Sequence, residues 1–177
     1  MIDLETMSVL PTAAIVQIGA TTFCPLTGRA LAAISINVDV ESCRAKGLAT
    51  DVSTVEWWAQ PAQREALETM RDNAQDVYSA LVQFRNWMLF DTDKEDIEVW
   101  ANGAAFDLAI LANAYDAVDI PIPWKFFNER CYRTVKSLYR DVPKPAFEGV
   151  KHNAYADSVH QARHLMAIMK EHKLCQE

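Results

Sequence analysis

The sequence predicts an α/β fold, with a mixed five-stranded sheet whose first three strands are antiparallel and whose faces are covered by helices. Three observations predict it. Short apolar stretches of period-two alternation, joined by tight turns, fill the first forty residues. Helical periodicity dominates from residue 53 onward. Two further strand-like runs, at 97–101 and 129–134, interrupt the helices. Three strands, then helices alternating with single strands, place helices on the faces of one sheet.

The elements follow in order. Residues 1–6 read as the end of a first strand and 8–11 as a connection. Residues 13–23 (AAIVQIGATTF) form a second strand, with Val16, Ile18 and Ala20 on one face and small residues including Gly19 on the other. A turn at 25–28 leads to a third strand at 30–38. Short turns favour antiparallel neighbours. Helix begins near residue 53 and restarts at Pro61, a favourable first helical residue, to run to about 71. Asp76 caps the next helix, whose stripe is Val77, Leu81, Phe84 and Met88. Residues 91–96 are an acidic loop. After the strand at 97–101, Asn102-Gly103 ends it and a helix covers 106–118 through Leu108, Leu111, Tyr115 and Val118. Two prolines keep 120–124 extended. A helix starts near Thr134, and 141–150 is a loop. Asn153 caps the last helix, with Tyr155, Val159, Ala162, Met166 and Met169 as its expected buried stripe.

The 177 residues suit a single domain over 1–177 with a sizeable core. Half of them are hydrophobic and 23% are charged, as in ordinary globular proteins. No apolar run is long enough for a membrane span, and the N-terminus lacks the basic and apolar regions of a signal peptide. Four scattered cysteines without a C-x-x-C pair suggest neither a disulfide framework nor a zinc ribbon, so the expected setting is the cytoplasm. A net charge of −7 argues against broad adhesion to nucleic acid. It leaves room for local grip, because a metal-filled acidic site brings its own positive charge.

The chemistry begins with Asp3 and Glu5. Residues two apart on a strand share a face, so the two carboxylates stand side by side. They repel unless a cation lies between them, and hard divalent ions of the Mg²⁺ or Mn²⁺ type prefer such oxygens. In the stretch from Trp100 to Asp107 a strand ends in a tight turn and an acid opens the following helix. In the stretch from His152 to Asp157 a histidine precedes the last helix and an acid follows one turn into it. Sites in α/β sheets gather at the carboxyl ends of parallel strands, where the first and fourth strands can meet.

Together these stretches resemble the three motifs of the DEDDh group of 3′-5′ exonucleases, within the ribonuclease H-like superfamily: Asp-x-Glu-Thr, Asn-Gly-x-x-Phe-Asp and His-x-Ala-x-x-Asp. They occur in that order over residues 3–157. The segments IVQIGATTF, TVEWWAQ and PWKFFNERCYRT are similar to small phage and bacterial exonucleases related to exonuclease VIII and to mycobacterial-type exoribonucleases. The resemblance implies a ribonuclease H-like fold and removal of nucleoside 5′-monophosphates from the 3′ end of single-stranded DNA or RNA. It implies two divalent ions, Mg²⁺ or Mn²⁺, held about 4 Å apart to stabilise the attacking and leaving oxygens. Asp3, Glu5 and Asp157 would ligate one ion, with Asp3 bridging to a second that Asp107 helps to hold. His152 would be the general base, since imidazole accepts protons near neutral pH. Tyr155 lies in the same motif, but His152 stands at the motif's position. A non-catalytic nucleic-acid-binding or interaction module on the same fold is the rival reading; such a module is expected to have lost an acid or the histidine, and all five are kept.

Several residues carry two readings. Trp57 or Trp58 can stack on a terminal base, and since adjacent helical residues point about 100° apart, one faces a groove and the other is core. Thr6, Asn102, Phe106 and Trp57 are the candidate substrate contacts, with strand termination for Asn102 and packing of the turn for Phe106 as the alternatives. Arg130 and Arg133 can meet phosphate, and Arg140, Lys144 and Lys151 can grip the strand. His160 and His164, one turn apart without a third ligand, read as surface. Met166 and Met169 read as core. The resemblance implies a homodimer as one arrangement, and Trp87, Leu89 and Phe90 either serve such an interface or belong to the core. So little strand precedes Asp3 that the sequence predicts either residues upstream of Met1 or a fraying terminus, with weaker metal binding or a supporting dimer contact.

Overall fold

The computed structural model describes residues 1–90 and 92–175. Asp91, at the start of the expected acidic loop, lies outside the described residues. Strands β1 (Ile2–Thr6), β2 (Ile15–Cys24) and β3 (Arg29–Asn37) are followed by helices α1 (Val40–Ala45), α2 (Val52–Trp58), α3 (Pro61–Arg71) and α4 (Val77–Met88). Then come β4 (Val99–Ala101), α5 (Ala104–Ala117), a 3₁₀ turn at Phe126–Asn128, β5 (Glu129–Cys131), α6 (Tyr132–Leu138) and α7 (Ala154–Glu171). The sheet order is β3-β2-β1-β4-β5. β3, β2 and β1 are mutually antiparallel, while β1–β4 and β4–β5 are parallel. This is the mixed five-stranded α/β arrangement expected of a ribonuclease H-like fold.

The sheet works because its two faces are dressed differently. On β1, Ile2, Leu4 and Thr6 are buried on one face, while Asp3 and Glu5 share the other. Asp3 pairs with Gly19 and Glu5 with Gln17 on β2. Gln17, Gly19 and Thr21 therefore continue the face of the acids, and α7 packs on it. The opposite face builds the main core with Leu81 and Phe84 of α4 and Leu108 and Leu111 of α5. Burial of such side chains contributes roughly 1.5–3 kcal/mol each. Met1 is buried, and its amino group donates to Thr21 O at 2.8 Å, so the start of β1 is pinned where the sequence suggested fraying.

Helix ends follow local chemistry. Asp76 accepts from Ser79 N, Asn153 accepts from Ala156 N, and Pro61 opens α3. α1 is not anticipated by apolar periodicity, being only six residues long; its signal is Asp39, which caps Glu41 N and Ser42 N. α5 and α6 begin two residues earlier than expected, at Ala104 and Tyr132. The stripe of α7 is the largest correction. Tyr155 is 44% exposed, and Leu165 and Ile168 are core. Ser158 and Gln161 are buried as well, because the sheet beneath offers polar partners, and an apolar-only pattern passes over them. Met166 and Met169 are buried as expected. Among the described residues, no helix is long and apolar enough to cross a membrane.

Candidate active site

Three carboxylates converge where α7 crosses the sheet. Asp3, Glu5 and Asp157 each offer an oxygen, all within 4.8 Å of one another. Asp107 stands beside them in a cavity of about 240 Å³ lined also by Asn102, Phe106, Arg133, His152 and Gln161. Its Oδ1 accepts from Leu4 N at 3.2 Å, which ties the start of α5 to β1. The parallel neighbours β1 and β4 thus bring the first two motifs together, and α7 adds the third.

The approach of α7 is set by β2. A Cβ on Gly19 would fall closer than 3.0 Å to the carbonyl carbon and oxygen of Ala154 and to Tyr155 N, so only glycine lets the helix start there. Gln17 Oε1 accepts from Ala154 N at 2.8 Å, and Gln17 Nε2 donates to Asn37 Oδ1. Ser158 Oγ meets Thr21 Oγ1 at 3.0 Å. Gln161, one turn beyond Asp157, donates from Nε2 to Asp3 Oδ1 at 2.7 Å. None of these positioning residues belongs to a motif. Gln17, Gly19 and Thr21 lie in the IVQIGATTF segment, whereas Ser158 and Gln161 left no trace in the sequence.

Burial dominates the electrostatics of the cluster. Burial is the main force lifting Asp3 well above the usual carboxylate range, and Asp107, Glu5 and Asp157 add to it. Glu5 is pushed up to about 8 by burial and then by Asp157 and Asp107. Burial raises Asp107 to about 6, against the opposing pull of Leu4 N–H, its own N–H and Arg133. Burial also raises Asp157, opposed by His152. Crowded acids whose charged forms are disfavoured by burial are a donor set suited to a hard divalent cation.

His152 has φ 59°, a left-handed residue just before the Asn153 cap. Its ring stands edge-on to Trp57, with centroids 5.0 Å apart. Trp58 is 2% exposed and donates from Nε1 to Thr6 O at 2.9 Å, so of the adjacent tryptophans Trp58 is core and Trp57 faces a groove. That groove is a compartment of about 320 Å³ lined by Leu4, Glu5, Thr6, Val9, Ser53, Thr54, Trp57, Trp58 and Phe106. It shares Leu4, Glu5 and Phe106 with the acidic cavity, so Phe106 does more than pack the turn. The Thr6 hydroxyl donates to Ser8 O.

The other candidates separate. Arg133 lies against Gly103 and donates to Asn102 O at 2.8 Å, whereas Arg130 pairs with Glu98. Arg140 Nε donates to Ser137 O, within its own helix end. His164 is not at the surface: it is 3% exposed, with Nδ1 2.6 Å from Tyr132 Oη and Nε2 3.1 Å from Val142 O. His160 is half-buried with its ring against Phe147, and burial lowers its pKa. Trp87 stacks on Phe84 and Leu89 is half-buried, which leaves Phe90 as the exposed member of that group.

No curated protein matches the sequence. The profile of the 3′-5′ exoribonuclease Rv2179c-like domain matches residues 1–169, nearly the whole length. The protein therefore belongs to this family of 3′-5′ exoribonuclease domains.

Proposed function

From that membership and from the acid cluster, we propose that the protein is a DEDDh-type, metal-dependent 3′-5′ exonuclease that shortens single-stranded RNA from its 3′ end. The observation that carries the reading is the convergence of Asp3, Glu5 and Asp157 within 4.8 Å, with the pKa of each raised by burial and those of Asp3 and Glu5 raised further by the neighbouring acids. Asp3, Glu5 and Asp157 would hold one Mg²⁺ or Mn²⁺, and Asp3 with Asp107 a second. Bound there, the ions would neutralise charge on the scissile phosphate and make water a better nucleophile.

The protein's own residues do the rest. His152 takes a proton from the attacking water. The water oxygen bonds to phosphorus as the bond from phosphorus to the 3′ oxygen of the preceding nucleotide breaks. A nucleoside 5′-monophosphate leaves, and the released 3′ oxygen takes a proton from solvent, so that the shortened strand ends in a 3′ hydroxyl. Trp57 holds the imidazole edge-on and, with Phe106, walls the compartment beside the acids, where a terminal base can sit. Stacking there is worth roughly 1–3 kcal/mol and tolerates any base. Lys136 Nζ has only protons to give, so the atom it meets on Asn102 is Oδ1, and Nδ2 is left as a donor for a ribose hydroxyl.

The test is a time course on 5′-labelled single-stranded RNA and DNA of one sequence with Mn²⁺ or Mg²⁺, alongside Asp3→Ala and His152→Ala. The expected result is a ladder that shortens from the 3′ end, faster on RNA, and is abolished by either substitution. Internal cuts, or activity that survives Asp3→Ala, would sink the proposal.

A further inference from the structure

We propose that Arg133, Lys136 and Lys144 form a second anion site, next to the acid cluster, that grips a phosphodiester of the substrate strand upstream of the one being cut. This rests on the exonuclease reading above and adds to it a place for the rest of the strand.

Two of these cations are fastened to the turn between β4 and α5. Arg133 packs on Gly103, whose φ of 135° suits glycine, and donates to Asn102 O at 2.8 Å. Lys136 donates to Asn102 Oδ1 at 2.8 Å, with its Nζ 4.9 Å from the centre of the Tyr132 ring. Arg133 and Asn102 line the same cavity as Asp3 and Asp157, so Arg133 and the acids share a wall, with Lys136 joined to it through Asn102. Lys144 lies exposed on the loop that joins α6 to α7, and its charge acts on both Lys136 and His160.

The charge of Arg133 acts on Asp107, but the cluster is not closed off by direct ion pairs. Nearby Arg130 and Arg163 are paired with Glu98 and Glu148, but among the described residues no carboxylate forms a salt bridge with Arg133, Lys136 or Lys144. In a protein of net charge −7 this leaves a local positive patch. Like charges held together repel, and burial, then Lys144 and Arg133, make Lys136 easier to deprotonate. An anion placed among them relieves that repulsion. A strand whose terminal phosphate lies at the acids must carry its next phosphates nearby, and guanidinium and ammonium groups are suited to receive them. Of the expected group Arg140, Lys144 and Lys151, the proposed site takes Lys144 and joins it to two residues of α6.

The test is fluorescence anisotropy of the full-length protein with a short 5′-labelled single-stranded RNA in EDTA, over a salt series, for wild type, Lys136→Met, Lys144→Met and the double variant. Each single change is expected to weaken binding about tenfold at low salt. The double change is expected to flatten the slope of log K against log salt by at least ~0.7, the share of one single-strand phosphate. Lys144 is exposed and forms no salt bridge among the described residues, so its effect cannot come from unfolding; a melting curve checks Lys136→Met. Unchanged binding and slope in the double variant would overturn the proposal, as would binding by wild type that ignores salt. If 3′ shortening is seen and is lost in Asp3→Ala while the double variant binds like wild type, the anion site fails alone. If nothing is cut while the lysine dependence holds, the exonuclease reading fails instead.

Discussion

Gly19→Ala adds one methyl group at the point where β2 and α7 touch. The new carbon would overlap the backbone of Ala154 and Tyr155, not a side chain that could turn aside. To restore an ordinary carbon contact of ~3.5–4.0 Å, the start of α7 must retreat by roughly 1.5 Å. That retreat breaks or stretches the bond from Ala154 N to Gln17 Oε1 and carries Asp157 away from Asp3 and Glu5. Overpacking of this kind costs about 1–3 kcal/mol of stability. A misplacement near 1 Å at a reacting centre costs about a hundredfold in rate. The assay is thermal melting with and without Mn²⁺, together with the RNA time course. The expected outcome is a lower melting temperature, loss of the Mn²⁺-induced rise and at least ~100-fold slower shortening. Removing the Ala154 methyl with Ala154→Gly should not rescue, because the clash is with backbone. A Gly19→Ala protein that melts and responds to Mn²⁺ like wild type would refute the idea that this contact sets the helix.

Other expectations follow from the same packing. Glu5 and Asp107, raised to about 8 and about 6, hold protons in the folded state that the unfolded state releases at lower pH. In EDTA, stability should therefore be full below about pH 3.8 as far as these acids are concerned. It should fall as pH rises through 6 and then 8, by on the order of a few kcal/mol, and Mn²⁺ should flatten the fall. A melting temperature that climbs across this window in EDTA would contradict the burial of the acids. Gln161→Leu removes the donor to Asp3 Oδ1 and should lower Mn²⁺ affinity about 10–100-fold by titration calorimetry, with the fold retained; unchanged affinity would make that bond incidental. The two tryptophans should part company. Trp58→Phe leaves Thr6 O without its donor and should cost about 1–3 kcal/mol on chemical denaturation. Trp57→Ala should leave stability nearly unchanged and weaken oligonucleotide binding by about 1–3 kcal/mol; the reverse pattern would show that the core and groove roles are exchanged.

Much of the architecture was legible in the sequence. Alternation placed β1 to β3, apolar stripes placed α4 and α5, and Pro61, Asp76 and Asn153 marked helix starts, because each of these signals acts over a few neighbouring residues. The carboxylates were legible for the same reason: Asp3 and Glu5 are two apart on a strand, and Asp107 and Asp157 each open a helix. Reading α7 by apolar residues alone failed at Tyr155, Ser158 and Gln161, since the face it covers is itself partly polar.

What the sequence determined by itself was the order of elements and the kinds of group that each end presents. The tertiary structure decided which of those groups meet. Gln161 and Asp3 are 158 positions apart, and Gln17 and Ala154 are 137 apart. His164 becomes interior because Tyr132 and Val142 close over it, and Lys136 becomes part of the site because Asn102 turns toward it. Such contacts leave no period and no local spacing, because a hydrogen bond or a close approach across the sheet depends on where two distant backbones cross. Here that crossing is fixed where α7 lies on Gly19.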